Sequence, residues 1–331
     1  MPPNSTGPIR PMLKELRQLW DSLPFKLEFA VLLAAWVALF HLLGNSVIGY
    51  VDTRSMFVWL DTIQANAERT DSDDAFGRYV PILVLVLAAV RRRELAEATK
   101  RVWQPGLAIL ALAIVLHAVG FLIQQTRMSI VAFLVGVYGL MGALWGPAWL
   151  RAIFFPYFLF VFAVPVASYL DGPTFKLRLF STWLSTQVCA GLLGMKITRI
   201  GTQILFHGTA TAPGFRFEVA PACSGIRSIT VVTLLTLAFG WLNFAVWWRR
   251  GVLALAAIPL ALLGNTVRLV LTFIVAEAWG QNAGSWVETK AGLITFSVAL
   301  GGVFALGRVL REDRAPETAP EPTPAPEAPE A

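Results

Sequence analysis

The sequence predicts an all-α polytopic membrane protein with about eight transmembrane helices and a small extracytoplasmic β-hairpin. Three observations carry that reading. Of 331 residues, 56% are hydrophobic and 15% are charged, whereas roughly 25% are charged in ordinary soluble proteins. The apolar residues fall in runs of about 20, the length that crosses a bilayer. The basic residues gather between particular runs, as they do in cytoplasmic loops. So few charges cannot cover a soluble domain of this size. A soluble enzyme, a disordered regulator and a disulfide-framed secreted domain are therefore excluded for the chain as a whole.

The first apolar run begins near Phe29 and lacks a small-residue cleavage site, so it reads as a retained helix after a cytoplasmic segment 1–28. Membrane helices are expected near 29–49, 79–92, 106–124, 129–147, 150–169, 224–243, 251–276 and 290–308, within a membrane domain 29–310. Segment 91–101 holds five basic residues, from Arg91 to Arg101, against Glu94 and Glu97. Segment 51–78 instead has three arginines and six acids. With Arg249, Arg250, Arg308, Arg311 and Arg314, these counts put both termini in the cytoplasm of a multi-pass plasma (inner) membrane protein. The net charge of +6 belongs to that pattern and implies membrane lipid as a partner rather than nucleic acid.

Stretch 177–195 is long enough to cross, but a crossing there would move Arg249 and Arg250 outside. It is expected to lie at the outer interface or to re-enter. Residues 196–222 alternate apolar and polar side chains around Gly208, Pro213 and Gly214, the pattern of a hairpin. From residue 315 onward only Pro, Glu, Ala and Thr occur, so a tail 311–331 is expected to be disordered.

Polar groups among apolar helices are costly and mark function. In Pro221-Ala-Cys-Ser-Gly-Ile-Arg-Ser228, Cys223 opens a long apolar helix. The helix N-terminus and Arg227, four residues on, both favour a thiolate, and Ser224 adjoins it. Cys189 reads instead as an apolar filler. The second place is Gly264-Asn265-Thr266-Val267-Arg268, where Asn265 and Arg268 share a face; snorkelling of Arg268 to the interface is the alternative. The third is a loop, 277–290, carrying Glu277, Glu288 and Lys290. The sidedness rule brings Cys223, Arg268 and Glu288 to the extracytoplasmic side together. Neither the two cysteines nor the three distant histidines have metal-ligand spacing, and no cofactor motif occurs, so no metal or cofactor is expected.

The ordered set PACSGIRS, GNTVRL and WVETKAGLITF resembles the exosortase/archaeosortase family. FGRYVPILVLVLAAVRRREL, FFPYFLFVFAVPV and LRLFSTWLSTQVCAGLLGMKITRIG extend the likeness over roughly 76–306. The resemblance implies a membrane cysteine protease or transpeptidase. Its partners are exported proteins with a C-terminal sorting signal: a short motif, a transmembrane helix and basic residues. It puts Cys223 in the nucleophile position, Arg268 in that of the catalytic arginine, and Asn265 in that of the preceding asparagine. The family's histidine position, four before Gly292, holds Glu288, and no histidine follows His207.

That departure alters the chemistry. Histidine, with a pKa of about 6.5, can shuttle a thiol proton, whereas glutamate at about 4.3 is a poor base for a thiol at about 8.5. Burial could raise Glu288 into use as an acid, or Arg227, Arg268 and the helix dipole could hold the thiolate unaided. If Glu288 and Arg268 touch, the expectation is a carboxylate that orients the guanidinium. His207, in the hairpin, is an alternative base. Two other functions are compatible with the residues. One is a catalytically impaired relative that binds sorting-signal helices; the other is a transporter using Arg268 as counter-ion.

Overall fold

The computed structural model describes residues 9–47, 51–69, 75–166, 169, 171–207, 214–219 and 226–311. Helices α1 (Ile9–Ser22), α2 (Lys26–Leu43), α3 (Met56–Arg69), α4 (Val80–Val90), α5 (Arg92–Glu97), α6 (Pro105–Leu122) and α7 (Thr126–Phe158) form the first part. Helix α8 (Asp171–Gln187), strands β1 (Ile197–Ile200), β2 (Gln203–Phe206) and β3 (Phe215–Glu218), and helices α9 (Ile226–Asn243), α10 (Trp247–Trp279), α11 (Gln281–Lys290) and α12 (Gly292–Val309) follow. The fold is the expected all-α polytopic membrane fold. Among the described residues, five stretches are long and apolar enough to cross a membrane, and Ala75–Val90 and Ile229–Asn243 are shorter apolar helices. The expected tail lies largely outside the described residues.

Helix α7 is one element in its hydrogen bonding but not in its course. Tyr157 Oη donates to the carbonyl of Leu134, 23 positions earlier, at 2.7 Å. On a straight helix those residues would stand about 35 Å apart at about 1.5 Å per residue. Tyr138 Oη likewise donates to the Leu150 carbonyl at 3.1 Å. The chain therefore reverses at Gly146, which has φ 87° and ψ 176°. A Cβ there would lie 2.7 Å from the Arg101 carbonyl, so only glycine serves. Pro147 then opens the second arm, where its missing N–H costs nothing. The two arms match the helices expected at 129–147 and 150–169, the second ending in a 3₁₀ turn, Leu159–Ala163.

Arginines from two separate parts of the chain meet at one end of the bundle. Arg92 and Arg93 both bond to Glu15 of α1, Arg93 Nη2 at 2.7 Å. Arg91 lies over the Trp241 ring of α9, 4.3 Å from its centroid. Arg250 Nε donates to the Phe244 carbonyl at 2.7 Å, and Arg249 Nη1 to the Leu310 carbonyl at 3.1 Å. Behind this end, α9, α10 and α12 share a core of Val232, Leu253, Ala257, Ala261, Ala299 and Val303.

The sheet is larger than the expected hairpin. KITRIGTQILFH does not form one strand; it folds on itself as β1 and β2, turning at Gly201 (φ 65°) and Thr202. Glycine first in a two-residue connection is what a type II′ turn requires. FRFEVA supplies β3, antiparallel to β2 with Ile204 opposite Phe217. The apolar face of the sheet (Ile197, Ile204, Phe206, Phe217) packs on Leu269, Phe273 and Ala276 of α10. Helix α10 has 33 residues, about 50 Å at about 1.5 Å per residue. The sheet and Arg249 thus sit at opposite ends of it. The stretch expected at 177–195 is the end of α8, then a π turn at Val188–Leu192; α8, with Asp171, Lys176 and Arg178, is not among the helices apolar enough to cross.

Candidate active site

Arg268 sits in α10, nearer the sheet end, and is 7% exposed. Asn265, three residues before it, is fully buried, as is Thr272, four residues after. These positions share one helical face. Gly264 opens the motif for a reason visible only in three dimensions: a Cβ there would lie 2.5 Å from the Thr295 carbonyl of α12. The glycine lets α10 and α12 meet backbone to backbone beside the arginine.

Residues 277–290 do not form the loop that their charges suggested. Helix α10 runs on to Trp279, the chain turns at Gly280 (φ 86°), and α11 follows. Gly284 lies so close that its Cβ would be 2.6 Å from Ala276 Cβ and 3.3 Å from the Phe217 ring. Helix α11 is thereby pressed onto both α10 and β3. Its last turn is brought to Arg268, whose Nη2 donates to the main-chain carbonyl of Glu288 at 2.9 Å. The last four carbonyls of a helix have no partner within it, and they carry the negative end of its dipole. Arg268 thus caps α11. This explains why a deep arginine is held inside rather than snorkelling. Alongside the expected carboxylate, the backbone of residue 288 supplies this contact.

Of the other residues singled out, Cys223 and Ser224 lie outside the described residues. Arg227 falls in the first turn of α9. His207 follows β2 on the exposed rim of the sheet, where its Nε2 shares a hydrogen bond with Thr198 Oγ1 at 2.7 Å. Cys189 is fully buried against the sheet and α10. Burial first, and then the Glu277 carboxylate, push its thiol up to about 11. That is the inert cysteine expected there.

Sequence reasoning missed a layer of hydroxyls. Ser181, Thr182, Ser185 and Thr186 form a buried stripe on α8, which packs on α10. Ser185 Oγ lies 3.5 Å from the Thr266 carbonyl, at the outer limit of a hydrogen bond. The hydroxyls of Ser181, Thr182, Thr272 and Thr295 have no hydrogen-bond partner among the described residues. The repeat Ser-Thr-x-x-Ser-Thr, with its i, i+4 spacing, was the signal available. Buried hydroxyls thus line the contacts that α10 makes with α8 and α12 along the stretch that carries Arg268.

A multi-pass membrane bundle with a buried arginine beside a small sheet defines a membrane-embedded site. The family model described as Transmembrane exosortase (Exosortase_EpsH) matches residues 67–305. The chain belongs to the transmembrane exosortase family. No curated protein and no solved structure matches it.

Proposed function

We propose that this exosortase is a membrane cysteine protease or transpeptidase that cleaves C-terminal sorting signals of exported proteins at the outer face of the membrane. The observation that carries the reading is the buried Arg268, held at the C-terminus of α11 within a hydroxyl-lined region. The family match extends across Cys223, Arg268 and Glu288. With the arginine-rich end in the cytoplasm, as the sidedness rule requires, Arg268 lies toward the outer face.

In this mechanism the Cys223 thiolate adds to the scissile carbonyl. Arg268, with Asn265, stabilises the oxyanion or orients the substrate. The C–N bond then breaks, leaving a thioester on Cys223, and the departing amine takes a proton, with Glu288 as the donor nearest at hand in the motif. Water or an acceptor amine attacks the thioester and returns the cysteine. His207 is a weaker candidate base, because its ring is already engaged on the exposed sheet rim. The decisive experiment co-expresses the protein with a tagged substrate ending in a short motif, an apolar helix and arginines. Processing by the native chain and none by Cys223→Ala is expected; equal processing by both would overturn the assignment.

A second reading is favoured by one specific observation, the glutamate in place of the family histidine. In it the protein binds signal helices without cleaving them. Glu288→His would then create processing in a chain that traps no thioester. The transporter reading draws less support, since Arg268 is committed to α11.

A further inference from the structure

A second site lies at the opposite, arginine-rich end. Between the end of α9 and the last turns of α12 is a recess of about 450 Å³, within the range of about 300–1,000 Å³ typical of ligand sites. Its walls are apolar: the rings of Phe239 and Phe304 meet edge to face at 5.2 Å, and Phe244 closes one side. Two glycines shape it. Gly307 presses α12 against Phe239, since a Cβ there would lie 2.8 Å from the ring. Gly301 leaves open space, with nothing within 4 Å of where its Cβ would be. Asn243 and two arginines, Arg308 and Arg311, form the polar rim.

The arginines of α10 and of the end of α12 are used differently. Arg249 and Arg250 are tied to the carbonyls of Leu310, just past α12, and of Phe244, just past α9. Arg308 and Arg311 are exposed, and among the described residues their guanidinium groups have no hydrogen bond or ion pair. Arg308 in the last turn of α12 and Arg311 just past its end both line the recess. An apolar floor under two guanidinium groups that have no partner among the described residues, at the end of a membrane bundle, matches an amphiphile with an anionic head. Guanidinium forks suit phosphate oxygens in particular.

We propose that this recess binds the phosphate headgroup and first acyl carbons of one anionic phospholipid of the cytoplasmic leaflet. The phosphodiester lies between Arg308 and Arg311, and the apolar part runs along Phe304 and Gly301. The site fastens the α9–α12 pair to an anionic leaflet and is separate from Arg268.

The test uses the full-length protein, purified in detergent and stripped of lipid, with lipid occupancy read by native mass spectrometry. Phosphatidylglycerol should bind in preference to phosphatidylcholine. Arg308→Gln with Arg311→Gln should weaken it by roughly 30-fold, from the increments typical of two basic groups at an anionic surface. Arg308→Lys with Arg311→Lys, which keeps the charge, should retain most of the binding. Gly301→Phe, which fills the floor and leaves the charges alone, should also abolish it; this variant keeps the test valid if the glutamine pair fails to fold. Equal binding of phosphatidylcholine, or unchanged affinity in the glutamine pair, would overturn the proposal. So would competition by inorganic phosphate at concentrations equal to the lipid, which would make this a free-phosphate site. Binding seen only after deletion of 312–331 would assign the recess to the acidic tail instead.

Discussion

Arg268 Nη2 donates to the main-chain carbonyl of Glu288, 2.9 Å away, so the backbone of α11 takes part in positioning the arginine. Any residue in that place offers the same carbonyl. A histidine and a glutamate can therefore occupy the position without disturbing this contact.

Substitutions at these two positions should consequently have unequal effects. Arg268→Lys loses the planar fork and should lower turnover by about 10²–10³, the cost of removing one oxyanion donor. Glu288→Gln keeps the carbonyl contact. If it reduces thioester formation by less than about tenfold, Glu288 is not the proton donor, whose loss costs about 10²–10⁴. Single-turnover thioester formation, measured for both variants, checks this. An active Arg268→Lys would overturn the oxyanion role, and a loss of less than about tenfold in Glu288→Gln would overturn the proton-donor role.

Gly264 should be intolerant of any side chain. A Cβ there would stand 2.5 Å from the Thr295 carbonyl, which belongs to a helix backbone and cannot swing aside. Gly264→Ala should destabilise the α10–α12 contact by about 1–3 kcal/mol, as overpacking does. A thermal melt in detergent should show a lower Tm, and activity should fall with it because the same turn carries Asn265 and Arg268. Gly292→Ala, with nothing within 4 Å of its Cβ position, is the control and should leave both unchanged.

The two cysteines should be separable by pH. Burial pushes the Cys189 thiol up to about 11, so its reactive thiolate is scarce until the pH approaches that value. A membrane-permeant thiol reagent at pH 8 should label the folded native chain at one position. Cys223→Ala should lose that label and Cys189→Ser should keep it. Retention of label in Cys223→Ala at pH 8 would mean that Cys189 is the exposed thiol.

Acid should release α1 from α5. The bond from Arg93 above all, helped by Arg92, holds the Glu15 carboxyl below the ordinary carboxylate range, although desolvation, second only to the Arg93 bond, opposes them. A depressed pKa contributes stability that is present above the unfolded value of about 4.3 and is lost as pH falls through the folded value. Protection of the linker after Ser22 from proteolysis should therefore persist at pH 7 and disappear only below about pH 4. Glu15→Gln should expose it at every pH. Unchanged protection in that variant would show that apolar packing alone docks α1.

The sequence by itself determined the class of the protein, the position of each apolar helix and the face shared by Asn265 and Arg268. Those properties are local. Run length decides whether a helix can reach across a bilayer, and a three-residue interval puts two side chains on one side of it. It also carried the ordered motifs that mark the family, from PACSGIRS to WVETKAGLITF. Only the tertiary structure decided that residues 281–290 are a helix, that β1 and β2 come from one alternating segment, and that the carbonyl of Glu288 is what Arg268 meets. Each depends on a partner distant in sequence. Alternation cannot locate a turn inside a strand pair that packs on α10, and charge in 281–290 concealed a helix stabilised by the close seat that Gly284 allows on Ala276. The hydroxyl stripe of α8 became legible for the same reason: a Ser or Thr reads as ordinary until a second helix covers it and removes its water.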